Sequence, residues 1–237
     1  MFGQEGSQLR LEWGDEGVTA LGGLCSVLVI VDVLSFSTAA DVVVSRGAQL
    51  RPVRWSDRES AARPADPTWS LRPSSLVDIP AGTVLELPSP NGATLCDLAS
   101  STGSVVLAGC LRNARAVALA ARELAGGGPI GVVPAGERWG VDINSPGTAH
   151  RGPLRPAVED LLGAGAVMAT LLGYGSASVE ACVAAEMFAR APVEDVVAGC
   201  VSGRELVAAG HAGDVELASQ VNVSTAVPRL VDGVLRA

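Results

Sequence analysis

Four short apolar runs constrain this chain most: Ser26–Val33, Val84–Leu87, Val105–Ala108 and Ile130–Val133. The first and last are rich in Val and Ile with no polar alternation, the pattern of strands covered on both faces. Helical periods follow three of them. "STAADVVVSRGA" follows the first, "NARAVALAARELAGGG" the third, with Gly126–Gly128 as its stop signal, and "RPAVEDLLGAGAVMATLLG" the fourth. Strands alternating with helices predict an α/β fold, a mostly parallel sheet with helices on both faces. "SVEACVAAEMFARA", "VEDVVAGCVSGRELVAAG" and "DVELASQV" predict a helix-rich C-terminal part. Two polar stretches interrupt the pattern, 56–82 and 135–155, and loops this long are often functional. With no repeat and no clear linker, one domain over 1–237 is expected, any subdomain division falling near residue 150.

Composition removes several function classes. The 237 residues are 48% apolar, enough for a real core. A formal net charge of −8 argues against an electrostatic nucleic-acid binder. There is no lysine, which excludes Schiff-base chemistry and a Walker-type phosphate loop. The five cysteines are widely spaced with no C-x-x-C pair, as in reduced cytoplasmic proteins, and no secretion signal is visible. Leu161–Val179 is uncharged and long enough to span a bilayer. It is rich in Gly, Ala and Ser and lacks basic or aromatic anchors, so a buried helix ending near Gly173 is expected, and no membrane contact.

In open parallel sheets, ligands bind beyond the carboxyl ends of the strands. The four strand ends here are "VDVLSFST", "ELPSPNGAT", "AGCLRNA" and "VPAGERWG". The first offers Asp32 with Ser35, Ser37 and Thr38. A carboxylate there suits a hard cation such as Mg²⁺ beside a phosphate, or else a helix cap. The second, Ser89-Pro90-Asn91-Gly92, is a turn whose following amides could nest an anion. At the third, Arg112 can grip an anion, while Asn113 can equally be a helix N-cap. Cys110 beside them is expected to be buried rather than nucleophilic. The fourth pairs Gly136 and Glu137 with Glu159 and Asp160 on the next helix. Those two adjacent acids point about 100° apart, so at most one of them need face the site, and a first-turn acid also favours the helix dipole. His150 and His211 are read as surface or structural.

With these four junctions together, the chain resembles the 2-phosphosulfolactate phosphatase family, from about residue 25 to the C-terminus. The residues that carry the resemblance are "VDVLSFST", similar to D-V-L-R-A-[ST]-[ST]-T, and "SPNGAT", similar to T-N-G-T. With them go "AGCLRNARAVA", "VPAGE", "EDLLGAGAV" and the tail "SGRELVAAGHAGDVELASQVNVSTAVPRL". The resemblance implies an α/β fold, dependence on Mg²⁺, and cleavage of phosphate from 2-phosphosulfolactate on the route to coenzyme M. Two departures stand out. The family's Arg after D-V-L is Ser35 here, and the segment before "SPNGAT" is shortened.

The expected function is therefore a Mg²⁺-dependent phosphatase of a small anionic phosphoester, in a homo-oligomer. Asp32 and Glu159 are the expected catalytic residues, and Asp32, Glu159 and Asp160 the expected metal ligands. Ser35, Ser37, Thr38, Ser89, Asn91, Gly92, Arg112, Asn113, Gly136 and Glu137 are expected to bind substrate. A metal-activated water is the default nucleophile. Loss of the Arg at position 35 leaves an alternative open: a non-catalytic relative that binds a phosphometabolite or a protein partner.

Overall fold

A computed structural model describes residues 2–140 and 152–237. The strands are β1 (Leu9–Leu11), β2 (Val27–Val31), β3 (Gln49–Arg54), β4 (Val84–Ser89), β5 (Val105–Gly109), β6 (Ile130–Pro134), β7 (Glu137–Arg138), β8 (Leu154–Arg155), β9 (Arg229–Val231) and β10 (Val234–Arg236). The helices are α1 (Gly14–Leu21), α2 (Phe36–Ser45), α3 (Gly92–Ser100), α4 (Ala114–Ala125), α5 (Val158–Leu171), α6 (Val179–Arg190), α7 (Val193–Gly199), α8 (Val201–Ala208) and α9 (Ala212–Ser219). Eight strands form one sheet in the order β1-β6-β2-β5-β9-β10-β3-β4, and β7 pairs with β8 in a separate ribbon. The first four strands in that order are parallel, as are β3 and β4. The β9–β10 hairpin joins the two groups through antiparallel pairings. The fold is α/β with a large, mostly parallel sheet, as expected.

Strand β2 shows why the fold has helices on both faces. Its side chains alternate across the sheet. Val27, Val29 and Val31 pack with Val117 and Ala121 of α4, Leu162 and Val167 of α5 and Ala184 of α6. Leu28 and Ile30 pack on the other side with Val18 and Leu21 of α1, Val43 of α2 and Leu95 of α3. Leu50 of β3 and Leu87 of β4 join that second cluster, so both groups of strands pack on the side of α2 and α3. Each fully buried aliphatic side chain here contributes roughly 1.5–3 kcal/mol.

The Gly- and Ala-rich α5 is a packing helix. A Cβ on Gly163 would sit 2.6 Å from Val33, and one on Gly165 2.2 Å from the Ala184 carbonyl oxygen. Small residues thus let α5 press against both β2 and α6. It ends at Leu171, and no helix among the described residues is long and apolar enough to cross a membrane.

Several elements differ from expectation. "NGAT" opens a nine-residue helix, α3, rather than a turn alone. β3 is a paired strand despite Pro52 and three polar side chains, and the chain after α9 returns to the sheet as β9 and β10. The 56–82 stretch contains two short 3₁₀ turns, Trp55–Ser60 and Pro73–Leu76. Of the 135–155 stretch, residues 141–151, including His150, lie outside the described residues. His211 sits beside Arg72, with its Nδ1 3.3 Å from the guanidinium.

Candidate active site

The carboxylate that ends β2 clips two helices together. Asp32 is 3% exposed. Its Oδ1 accepts from the Phe36 amide at 3.2 Å, at the start of α2, and its Oδ2 accepts from the Gly92 amide at 2.7 Å, at the start of α3. Two helix N-termini, each with unpaired amides and a positive dipole end, converge on one acid. Residue 92 must be glycine for this approach: a Cβ there would lie 2.5 Å from the Phe36 ring and 2.8 Å from Asp32 Oδ2. The hydroxyls that follow Asp32 are turned inward. Ser37 Oγ accepts from the Asp32 amide at 3.0 Å and donates to the Ile30 carbonyl at 3.1 Å, and Thr38 Oγ1 donates to the Val33 carbonyl at 2.7 Å. Both are completely buried.

Asp160, in the first turn of α5, does a similar job for two strand exits. Its Oδ1 accepts from the Val33 amide at 2.7 Å and its Oδ2 from the Gly136 amide at 2.8 Å. Gly136 has φ +67°, and a Cβ on it would meet the Arg155 carbonyl oxygen at 2.9 Å. Next to it, Glu137 on β7 accepts at Oε2 from the Asn91 side-chain amide at 3.0 Å, which ties the β6 exit to the turn before α3. Glu159, 2% exposed, lies beside the Cys200 thiol between α7 and α8.

These four acids act on one another. Burial, opposed by the Gly92 and Phe36 amides and reinforced by the Glu159 charge, raises Asp32 to about 6. Burial, then repulsion from Asp32, raises Glu137 to about 7. Asp160 is pushed well above the usual carboxylate range by burial and by the Asp32 and Glu159 charges. A site of this kind favours either protons or a cation.

Three of the four sequence junctions therefore meet: Asp32 with Ser35, Asn91 with Gly92, and Gly136 with Glu137, joined by Glu159 and Asp160. Ser35 is 8% exposed, and its amide also bonds to Asp32. Ser89, 1% exposed, accepts at Oγ from the Asn91 amide at 3.2 Å and shapes that turn. The fourth junction is committed elsewhere. Arg112 Nε donates to Asp41 of α2 at 2.8 Å, and its Nη1 bonds to Gln220. Asn113 is fully buried, accepting from the Cys110 amide at 2.8 Å and donating to the Ala226 carbonyl at 3.2 Å. Burial pushes the Cys110 thiol up to about 12. Sequence reasoning passed over Arg155, which pairs opposite Glu137 in the β7–β8 ribbon. A two-residue strand has no periodicity to reveal it.

The donor chemistry fits a hard divalent cation only in part. Among the described residues, no three His, Cys, Asp or Glu side chains are grouped so as to hold a metal. Mg²⁺, however, commonly uses one or two carboxylates, with waters and substrate phosphate completing its shell. Glu159 and Asp32, buried and mutually repelling, supply that number.

Comparison with known proteins points to one family. The sequence profile described as 2-phosphosulpholactate phosphatase matches residues 78–233. That span holds the Asn91 turn, Glu137, Glu159 and Asp160, while Asp32 precedes it. A 2-phosphosulfolactate phosphatase of Methanothermobacter thermautotrophicus is 35% identical over 152 residues, covering 64% of this chain. The match spans 58% of that relative's length. On the extent of the profile match, the chain belongs to the 2-phosphosulpholactate phosphatase family.

Proposed function

We propose that this chain is a phosphoric monoester hydrolase that uses Mg²⁺ to release phosphate from a small anionic phosphoester, 2-phosphosulfolactate or a close relative. One observation carries the reading beyond family membership: Asp32, Glu137, Glu159 and Asp160 reach one place from the β2 exit, the β6 exit and α5. In this reading Glu159 and Asp32 hold the cation. When bound, Mg²⁺ supplies charge neutralisation for the phosphoryl oxygens. Asp160 is a positioning residue, since both of its oxygens fix the strand exits on which the site is built.

Glu137 is the proton carrier. Its value of about 7 lets it hold a proton at neutral pH and still release it, which is what general acid catalysis needs. Oε2 is engaged by Asn91, so Oε1 carries the proton and gives it to the leaving alkoxide oxygen. Asn91 fixes the carboxyl in that orientation. Water is the nucleophile, and Ser35 borders the phosphoryl position.

A second reading, a non-catalytic phosphometabolite binder, has one observation in its favour: Asp32 and Asp160 each accept two backbone amides and would serve the fold with no chemistry at all. A phosphate-release screen over small phosphoesters, with and without Mg²⁺, separates the two. Mg²⁺-dependent release supports the hydrolase. Calorimetric binding without release supports the binder.

A further inference from the structure

Arg155 is set apart from the other arginines near the site by what it does not touch. Arg138, its neighbour in the ribbon, pairs with Asp15 and lies 3.9 Å from Glu16. Arg112 pairs with Asp41, Arg54 with Asp97 and Arg51 with Glu86. No ion pair among the described residues engages Arg155. Yet it stands directly opposite Glu137 in an antiparallel pair, where facing side chains share one side of the ribbon. Its guanidinium carbon instead lies 5.8 Å from the centre of the Trp139 ring. Trp139 is 59% exposed, so the stack reaches solvent, and the Arg155 charge still acts on Glu137. A guanidinium held by an aromatic face keeps its edge donors free for a planar or tetrahedral anion.

We propose that Arg155 binds a second anionic group of the substrate, a carboxylate or sulfonate, and so selects phosphoesters that carry one. The inference rests on the reading of the acid cluster as the phosphoryl site. With the phosphoryl group at Glu137 and the cation, a second anion across the ribbon meets Arg155, whose guanidinium lies against Trp139. Arg155 would thereby provide the charge that Ser35 lacks.

The test is calorimetry with Mg²⁺ using two unreactive probes, phosphonoacetate with two anionic groups and methylphosphonate with one. Wild type should prefer phosphonoacetate by about tenfold to a hundredfold, the range of one charge-assisted hydrogen bond. Arg155→Gln should remove most of that preference while leaving methylphosphonate binding within about threefold. Arg155→Lys should recover part of it, because charge remains but the planar fork is lost; recovery also shows that the ribbon still folds. An undiminished preference in Arg155→Gln overturns the role of Arg155 alone. Equal loss for both probes makes it a structural residue and overturns the proposal too. If wild type binds neither probe, the phosphoryl site itself is wrong and the inference falls with it.

Discussion

Replacing Asp32 with Asn probes the clip between α2 and α3 directly. The Asn carbonyl will keep the shorter contact, the 2.7 Å bond from the Gly92 amide. Its NH₂ then faces the Phe36 amide, which now bonds to Oδ1 at 3.2 Å, so two buried donors confront each other. Losing one hydrogen bond to a charged acceptor costs about 1.5–3 kcal/mol. Removing a charge that burial, and then Glu159, disfavours offsets about 1 kcal/mol of that. A net loss of about 1–2 kcal/mol corresponds to a fall in Tm of roughly 2–8 °C for a chain of this size. The loss must depend on pH. Because Asp32 titrates at about 6 when folded and near 3.8 otherwise, the folded wild type is favoured by taking up a proton at pH 5, which Asn cannot do. Thermal melts followed by circular dichroism at pH 5 and pH 8 should therefore show the wider gap at the first and a narrower one at the second, by about 1–2 kcal/mol. A gap that fails to narrow from pH 5 to pH 8, or no gap at pH 5, would refute the clip.

Gly92→Ala should destabilise the protein by about 1–3 kcal/mol in chemical denaturation, because the new methyl lies 2.8 Å from Asp32 Oδ2; an unchanged midpoint contradicts the close approach. Asp32 and Glu137 bind protons more tightly folded than unfolded, so their stabilising contribution is full below about pH 4 and is lost as pH rises through about 6 and 7. Melts of Glu137→Gln against wild type should thus shift in the variant's favour by about 1–2 kcal/mol from pH 5 to pH 8, and added Mg²⁺ should raise wild-type Tm more at pH 8 than at pH 5. A variant gap independent of pH contradicts the Glu137 shift.

The parallel half of the sheet was legible because β2 and β6 are buried on both faces and read as unbroken Val and Ile runs. β3 was hidden by its composition. Arg51 and Arg54 are exposed and Pro52 is half-buried, and only Leu50 is fully buried, so no apolar run or clean alternation marks the strand. The hairpin at the C-terminal end did carry a signal: Asp232-Gly233, both at positive φ, is a strong two-residue turn pair that the helical pattern before it obscured. In the site, Asp32, Glu137, Glu159 and Asp160 were each visible as acids at strand or helix ends. Which of them share one place was not, since that follows from long-range bonds such as Asp32 to Gly92. Arg112 illustrates the converse. Its position after a strand looked ligand-directed, but buried Asp41, on the facing helix, takes its charge.

The central claim is that the acid cluster is a cation-dependent phosphatase site, and Glu159→Gln tests it most directly. The substitution keeps the volume of a side chain that is 2% exposed and removes only its charge. Phosphate release from 2-phosphosulfolactate should occur in wild type with Mg²⁺ and stop when the metal is chelated. The variant should melt within a few degrees of wild type yet lose about a hundredfold or more of that rate, the scale of several kcal/mol of charge stabilisation. A wild-type protein inert with Mg²⁺, or a Glu159→Gln variant as fast as wild type, would contradict the account.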